Sequence, residues 1–242
     1  HAIVNMIVQQ SSQAQLQNPP QVEMRFLSSC HYKGEGVVLD MQYNHDGSLL
    51  AIACSHGELC IYDLVQDNKK TPLCCFKDHK GGILKLTWSL PQLGRYLASC
   101  SIDKSINVYE INVEGNTRRH CIQLNCIPVS MAFCPWDEKL VLVVGLSNGE
   151  LQVYGEDFEG SSTVPDAHLM SINCVSWSNE IVVSNQRIQW VKKTLTNVEI
   201  YMPNDTLPLL ATVSSDRKLH IWRIDLDSLK LFKVAETVAH EK

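Results

Sequence analysis

Short apolar runs recur along the chain, and four of them end on an aromatic residue. These aromatic positions are Tyr43, Trp88, Phe133 and Trp177, at spacings of 45, 45 and 44 residues. Apolar and polar residues alternate inside the runs, which predicts half-buried β-strands. No stretch keeps an apolar period of 3.6 residues, so we expect helices to be scarce.

A second series of aromatic residues keeps a similar period. It comprises Tyr62, Tyr109, Tyr154 and Trp222, at spacings of 47, 45 and 68 residues, and the excess in the last spacing indicates one insertion. Two independent series with one period indicate a structural repeat. The predicted strands are 37–43, 49–54 and 59–62 in unit one, 83–88, 96–101 and 106–109 in unit two, 129–133, 140–145 and 151–154 in unit three, and 172–177, 209–214 and 219–222 in unit four.

The repeat length favours one fold. A period of about 40–45 residues with four short strands is typical of a WD-repeat propeller blade. We therefore predict an all-β WD-repeat β-propeller in residues 24–242. The expected blades are 34–77, 78–124, 125–166 and 167–239.

Four blades with one preceding strand would make a small or open ring, since propellers use four to eight blades. The chain ends on Val238-Ala-His240, which resembles the openings of units two and four, so a fifth unit is expected to begin there. An open ring leaves strand edges that pair readily with another polypeptide.

Two segments depart from the repeat. Residues 1–23 are rich in Gln and carry Pro19-Pro20, which indicates a flexible extension. Residues 178–206 interrupt unit four and form either a long mobile loop or an arm that docks a partner. Residues 24–31 are apolar enough for a strand. We expect partner contacts in this strand and in the insertion. The candidates are Met24, Phe26 and Leu27 in the strand, and Trp190 and Tyr201 in the insertion.

Units two and four share a set of one histidine, one hydroxyl residue, one aspartate and one aromatic residue. A Ser–His–Asp grouping could indicate a hydrolase. An active site needs one copy, however, whereas this set recurs with the repeat, so we favour a buried structural hydrogen-bond chain. The two sets are His79, Ser99, Asp103 and Tyr109, and His168, Thr212, Asp216 and Trp222.

Composition narrows the possible functions. The 242 residues carry a net charge of −5, which argues against nucleic-acid binding and against a direct grip on acidic membranes. Ten cysteines occur, but no Cys-x-x-Cys spacing, so we expect reduced core thiols in a cytosolic compartment rather than a metal site. No phosphate-binding loop or zinc-protease motif is present, and we predict no cofactor and no enzymatic activity.

Residues 78–104 carry a more specific resemblance. Their Pro91-x-x-Gly94 between strands, followed by Leu97-Ala-Ser-Cys-Ser-Ile-Asp103, resembles the small WD-repeat subunits of the COPII outer coat and the nuclear pore Y-complex. The likeness extends over residues 24–240. It implies a non-enzymatic open propeller, completed by strands that a helical scaffold partner inserts as an additional blade.

The leading hypothesis is therefore a structural subunit of a vesicle coat or nuclear pore coat. It would be cytoplasmic, peripheral at the endoplasmic reticulum membrane or the nuclear envelope, and held there indirectly through its complex. The alternative is a propeller that recognises peptides or degrons on its top face. The chain departs from the resemblance in lacking the turn aspartate in units one and three, in its long insertion and in the absence of two blades.

Overall fold

The computed structural model describes residues 36–65, 71–112, 115–135, 139–178 and 209–238. In these ranges the chain is all-β, with sixteen strands and one short 3-10 helix, Pro91–Leu93. The described residues contain no α-helix, and none of their helices has the length and apolarity to span a membrane.

The strands form four antiparallel sheets of four, each built from consecutive strands. Sheet one contains β1 (Val38–Tyr43), β2 (Leu49–Cys54), β3 (Leu59–Asp63) and β4 (Cys74–Phe76); sheet two contains β5 (Ile83–Trp88), β6 (Tyr96–Ser101), β7 (Ser105–Asn112) and β8 (Gly115–Gln123); sheet three contains β9 (Pro128–Phe133), β10 (Leu142–Leu146), β11 (Leu151–Tyr154) and β12 (Ser161–Val164); sheet four contains β13 (Ile172–Trp177), β14 (Leu209–Ser214), β15 (Lys218–Asp225) and β16 (Lys230–Val238).

The sheets are arranged side by side through their first strands. Strand β1 packs on β5, β5 on β9, and β9 on β13. Within the described residues β13 has no comparable packing against β1. The four sheets therefore form an open arc rather than a closed barrel.

Each sheet presents one apolar face to the next sheet along the chain, which we call its forward face. At the centre of this face, a residue of the second strand pairs with the residue ten positions later on the third strand, as Ala51 pairs with Ile61. In the first three sheets this face is buried in the core clusters between neighbouring sheets. The forward-face positions are Leu49, Ala51, Ala53, Leu59 and Ile61; Tyr96, Ala98, Cys100, Ile106 and Val108; Val141, Val143, Leu151 and Val153; and Leu209, Ala211, Val213, Leu219 and Ile221.

The tight turn between the second and third strands of every sheet needs one residue with positive φ. Glycine occupies it in sheets one and three, at Gly57 (φ 80°) and Gly149 (φ 90°). Lys104 (φ 67°) and Arg217 (φ 68°) occupy it in sheets two and four. A Cβ atom at Gly57 would lie 2.5 Å from the carbonyl oxygen of His79, so the glycine there is required by close packing as well as by conformation.

The all-β architecture of four-stranded sheets predicted from the sequence is confirmed, together with its open form. The sequence does not predict the fourth strand of any sheet, and in sheets one to three these strands are short or polar. The predicted strand at 24–31, the extension 1–23 and most of the insertion 178–206 lie outside the described residues. The proposed blade boundaries remain a prediction.

The expectation that the cysteines are reduced core thiols is wrong for four of the described ones, since Cys60 and Cys75 are bonded and Cys121 and Cys174 are exposed. Cys60 and Cys75 are opposite each other on β3 and β4 and form a disulfide. Cys174 is exposed rather than buried, because it lies on the forward side of β13 and no described strand covers that side. The disulfide could not be predicted from the sequence, because β4 is only three residues long and its pairing with β3 leaves no recognisable pattern.

Candidate functional site: repeated hydrogen-bond networks and an uncovered sheet face

In sheet four the predicted set forms one continuous chain of hydrogen bonds. Trp222 Nε1 donates to Thr212 Oγ1 at 2.8 Å, and the same hydroxyl lies 2.8 Å from His168 Nε2. His168 Nδ1 lies 3.0 Å from Asp216 Oδ2. Because the carboxylate can only accept, Nδ1 carries the ring proton and Nε2 accepts from the threonine hydroxyl.

In sheet two the set is assembled differently. Ser99 Oγ lies 2.7 Å from His79 Nε2, and Asp103 Oδ2 lies 3.3 Å from Nδ1. Tyr109 does not extend the chain: it packs on Phe76 with ring centroids 4.3 Å apart, and its buried hydroxyl lacks a hydrogen bond of good geometry.

Two residues that sequence reasoning missed complete the sheet-two network. Ser105 Oγ lies 2.9 Å from His79 Nδ1, and Asn107 Nδ2 lies 3.2 Å from His79 Nε2. Both follow Asp103 on the alternate positions of β7, which point to the same face. In sheet four the corresponding residues are Lys218 and His220, so no repeat of residue type could have indicated them.

Each aspartate also links the turn in which it lies to the segment that precedes the first strand of its sheet. Asp103 Oδ2 accepts from Lys80 N at 2.7 Å, and Asp216 Oδ2 accepts from Leu169 N at 3.0 Å. These bonds hold the segment that enters the sheet against the turn between its second and third strands. The result is that both histidines are fixed by backbone as well as by side chains.

A serine two positions before each aspartate adds the same bond in both sheets. Ser101 Oγ donates to Gly81 O, and Ser214 Oγ donates to Met170 O, each at 3.0 Å. Sequence reasoning missed these serines, although the repeated Ser-x-Asp spacing was a usable signal.

Electrostatics agree with a neutral histidine and a charged aspartate in sheet two. Burial lowers the pKa of His79, and the nearby Asp103 opposes that shift only in part. Burial alone would raise the pKa of Asp103, but hydrogen bonds from Ser105 and from the amide of Lys80 outweigh it and lower that pKa. Asp216 behaves likewise, with amide bonds from Lys218 and Leu169.

The geometry resembles a serine-hydrolase triad but is unsuited to catalysis. Ser99 and Thr212 are completely buried, so no substrate carbonyl can approach either hydroxyl. In sheet four the hydroxyl already accepts from an indole N–H. The two networks can fix loops and exclude water, and they have no open position at which a reaction could occur.

His220, like Tyr109, is a buried polar residue without a hydrogen bond of good geometry. Its ring stacks on that of His168 with centroids 4.0 Å apart, and it is 3% exposed. Glu236 Oε2 lies 3.2 Å from Nε2 without the alignment of a hydrogen bond. Burial lowers the pKa of His220, and the adjacent His168 and Lys233 lower it further.

Hydrogen bonds tie the first strands of neighbouring sheets together. Trp88 Nε1 donates to Gln42 O at 3.1 Å, and Trp177 Nε1 donates to Ala132 O at 3.3 Å. Asp40 accepts from the amide of Leu86 at 2.8 Å. The tryptophan at the end of β5 and the one at the end of β13 thus each reach back to the preceding sheet.

The forward face of sheet four is the exception to this pattern. Its cluster is formed by sheet-four residues alone, around Ile221 and Ala235. Leu209, Ala211 and Leu219 are only half-buried, whereas Leu49, Ala51 and Leu59, at the same positions of sheet one, are at most 4% exposed. Within the described residues nothing packs over this face.

The backward side of β1 is uncovered in part. Met41 is 44% exposed, whereas Leu86 and Met131 at the same position of β5 and β9 are at most 2% exposed. Leu50 and Ile52 on the backward side of β2 are nonetheless buried. The larger uncovered surface of the described arc is therefore the forward face of sheet four.

A cleft of about 500 Å³ lies at the other end of the first strands, away from the histidine networks. Tyr43, Trp88 and Phe133 line it, and Trp88 is already engaged with the preceding sheet. The predicted partner contacts Met24, Phe26, Leu27, Trp190 and Tyr201 lie outside the described residues.

Comparisons with known proteins agree with this fold. Residues 70–110 match the WD40 family, described as WD domain, G-beta repeat. A chain in a crystal structure of the mitotic checkpoint complex superposes with a TM-score of 0.60 at 19% identity, covering 84% of this chain and 51% of that one. At that identity the likeness concerns the fold alone.

Curated relatives carry two names. The Drosophila melanogaster protein SEC13 homolog is 29% identical over 54% of this chain and 38% of its own length. Cryptococcus neoformans protein transport protein SEC13 is 22% identical over 86% and 65%. Danio rerio nucleoporin SEH1 is 26% identical over 59% and 43%. The chain spans about two fifths to two thirds of the length of these relatives. One repeat of the chain thus matches the WD40 model, and the relatives to which the chain is similar are named SEC13 and SEH1.

Proposed function

We propose that the protein is a non-catalytic propeller subunit of a vesicle-coat or nucleoporin complex, and that a further sheet, supplied by a fifth unit of its own or by a second polypeptide, covers the forward face of its fourth sheet. The observation that carries the proposal is the contrast between this face and the equivalent faces of sheets one to three. Relatives named as a transport protein and as a nucleoporin support the cellular setting.

The forward face is built to receive another sheet. It presents the pattern Leu209-x-Ala211-x-Val213 on β14, opposite Leu219 and Ile221 on β15. The same pattern packs tightly wherever a following sheet is present. All of these sheet-four residues except Ile221 are half-buried, and covering them would contribute about 25 cal/mol for each Å² removed from water.

The first strand of sheet four offers matching polar contacts. At the junction of sheets three and four, Ser130 Oγ accepts from Val175 N at 3.1 Å and Ala132 O accepts from Trp177. Cys174 and Ser176 occupy those two positions on β13. A partner strand with an aromatic residue directed at the Ser176 carbonyl would reproduce the junction.

This contact differs from the edge pairing that the sequence suggested. Every described sheet already has four strands, so the partner is expected to add a sheet face to face rather than one strand to an edge. A helical scaffold protein that donates a few strands meets this requirement. Membrane association would be indirect, through that partner, on the cytoplasmic side of the endoplasmic reticulum or nuclear envelope.

The test is purification of the tagged protein from its own cells, followed by size analysis and identification of stoichiometric partners. Leu219→Arg places a charge on the half-buried part of the forward face and is expected to abolish the complex. Leu169→Arg is the matched control, because Leu169 is 82% exposed on the loop before β13.

The control also separates the two function classes. A scaffold subunit is expected to lose its partner in Leu219→Arg and keep it in Leu169→Arg. A peptide-recognition propeller that binds at its loop end would show the reverse. A stable monomer that gains no stoichiometric partner in cells would contradict the proposed function.

A further inference from the structure

We propose that Cys60 and Cys75 are a reversible redox pair that anchors β4 to sheet one when oxidised and loosens it when reduced. The residues are direct partners on β3 and β4, with their Cα atoms 4.3 Å apart. The sulfur atoms are joined, and Glu58 contributes a carboxylate oxygen within 4.8 Å of both of them. This group is independent of the forward face and of the proposed partner.

Reversibility follows from the state of the other cysteines. Seven described cysteines are free thiols, and Cys121 and Cys174 among them are exposed. Exposed thiols are typical of a chain in reducing surroundings, where a disulfide is usually transient and redox-sensing rather than permanent. A single disulfide among so many thiols fits that second role.

The exposure of the two sulfur-bearing residues defines the route of exchange. Cys75 is exposed and Cys60 is buried, so a small-molecule thiolate attacks Cys75 Sγ. The new sulfur–sulfur bond forms as the Cys75–Cys60 bond breaks, and Cys60 leaves as a thiolate that takes a proton from solvent. A second thiolate then releases Cys75. The two electrons come from the two small thiols, which leave as their own disulfide.

Glu58 sets the rate of this exchange. Its negative charge beside both sulfurs disfavours a thiolate there. The ammonium group of Lys77, 3.3 Å from the carboxylate, offsets that charge only in part, because its side chain is largely in solvent. Glu58→Gln is therefore expected to accelerate both oxidation and reduction.

The position of the pair gives it a structural effect. Strand β4 has three residues and, among the described strands, pairs with β3 alone. Phe76 at its end packs on Tyr109 of sheet two, and His79 follows three residues later. Reduction would loosen the segment that joins the first two sheets, ahead of the buried histidine network.

The experiment equilibrates the full chain in glutathione buffers of graded ratio, blocks free thiols, and measures the Cys60–Cys75 link by peptide mass spectrometry. Hydrogen exchange of the β4 amides is recorded at both extremes. We expect a reversible transition within the accessible glutathione range and faster β4 exchange in the reduced form. Cys75→Ser should exchange like the reduced form in every buffer.

Cys74→Ser is the matched control, because Cys74 is the neighbouring free thiol and packs towards sheet two. It should leave the redox transition unchanged. The proposal is overturned if the pair stays reduced in oxidised glutathione or stays oxidised in excess reduced glutathione. It is also overturned if the hydrogen-exchange rate of the β4 amides is the same in the oxidised and reduced forms. Retention of zinc by the reduced pair, with no disulfide formed, would assign the group to metal binding and overturn it as well.

Discussion

At the scale of single residues, Thr212 joins two buried side chains of sheet four through one hydroxyl group. Its hydroxyl accepts from the indole of Trp222 and contacts the imidazole of His168, and all of these atoms are buried. Removal of a shared partner leaves two buried polar groups unsatisfied, which costs more than the loss of one ordinary hydrogen bond.

Thr212→Val is therefore expected to lower the free energy of unfolding by about 2 kcal/mol or more. Ser99→Ala in sheet two should cost less, about 1 kcal/mol, because Asn107 still reaches His79 Nε2. Urea denaturation of both variants checks the order. Equal costs would show that the two networks are interchangeable and that the shared hydroxyl has no special role.

The histidines give stability a defined pH dependence. Burial lowers the folded-state pKa of His79 and of His220. Below about pH 6.5 these histidines are protonated in the unfolded chain but remain neutral in the folded chain. The free energy of unfolding therefore decreases as the pH is lowered. It falls again below about pH 4, where Asp103 and Asp216, with lowered pKa values, must be protonated.

His220→Asn tests the first part of this dependence. It places in sheet four the residue that occupies the same position, Asn107, in sheet two. We expect a smaller loss of stability between pH 7 and pH 5, measured by urea midpoints, with little change below pH 4. An unchanged pH slope would mean that His220 is not excluded from protonation in the folded state.

Sequence reasoning found the repeated part of these networks and missed the rest. The hydroxyl residue and the aspartate recur four residues apart, each pair with a histidine at the start of its unit, so these residues could be identified from the repeat. Ser105 and Asn107 have no counterpart of the same type in sheet four. Tyr109 does not take the part expected of it, because its hydroxyl makes no hydrogen bond of good geometry, whereas the indole N–H of Trp222 donates to Thr212.

At the scale of elements, the predictable strands were those buried on at least one face. Strands β2, β3 and β6 are almost wholly buried and read as apolar runs. Strand β8 has the sequence Gly-Asn-Thr-Arg-Arg-His-Cys-Ile-Gln and is mostly exposed. It pairs by backbone along β7, which leaves little hydrophobic pattern for sequence analysis to detect.

The turn residues allow a test at the same scale. Gly149→Ala places a Cβ against the carbonyl oxygen of His168 at a positive φ, and should cost about 2 kcal/mol or more. Arg217→Gly removes the strain of a side chain at positive φ but increases the conformational entropy of the unfolded chain. The free energy of unfolding should therefore change by no more than about 1 kcal/mol. Thermal unfolding of both variants distinguishes them.

The Gly149→Ala cost would be absent if the turn could move away from the segment that opens sheet four. A loss in Arg217→Gly as large as that in Gly149→Ala would contradict the explanation by backbone conformation.

At the scale of the whole molecule, the repeat period indicated the propeller architecture and the number of units. It could not show which junctions are complete, because forward-face patterns look alike whether covered or not. Ala51 and Ala211 occupy equivalent positions, and only the structure shows one fully buried and the other half-buried. The uncovered face is thus a property of the assembled arc.

Cys174 provides a direct measurement of that face. It is exposed on β13 at the position where a following sheet would pack, and Cys121, exposed on β8, is an internal control. The alkylation rates of both thiols are compared by mass spectrometry between the isolated chain and the protein in its own cells. The account predicts that Cys174 reacts in the isolated chain and is selectively protected in cells, while Cys121 reacts in both. Equal reactivity of Cys174 in the two settings would contradict a covered forward face.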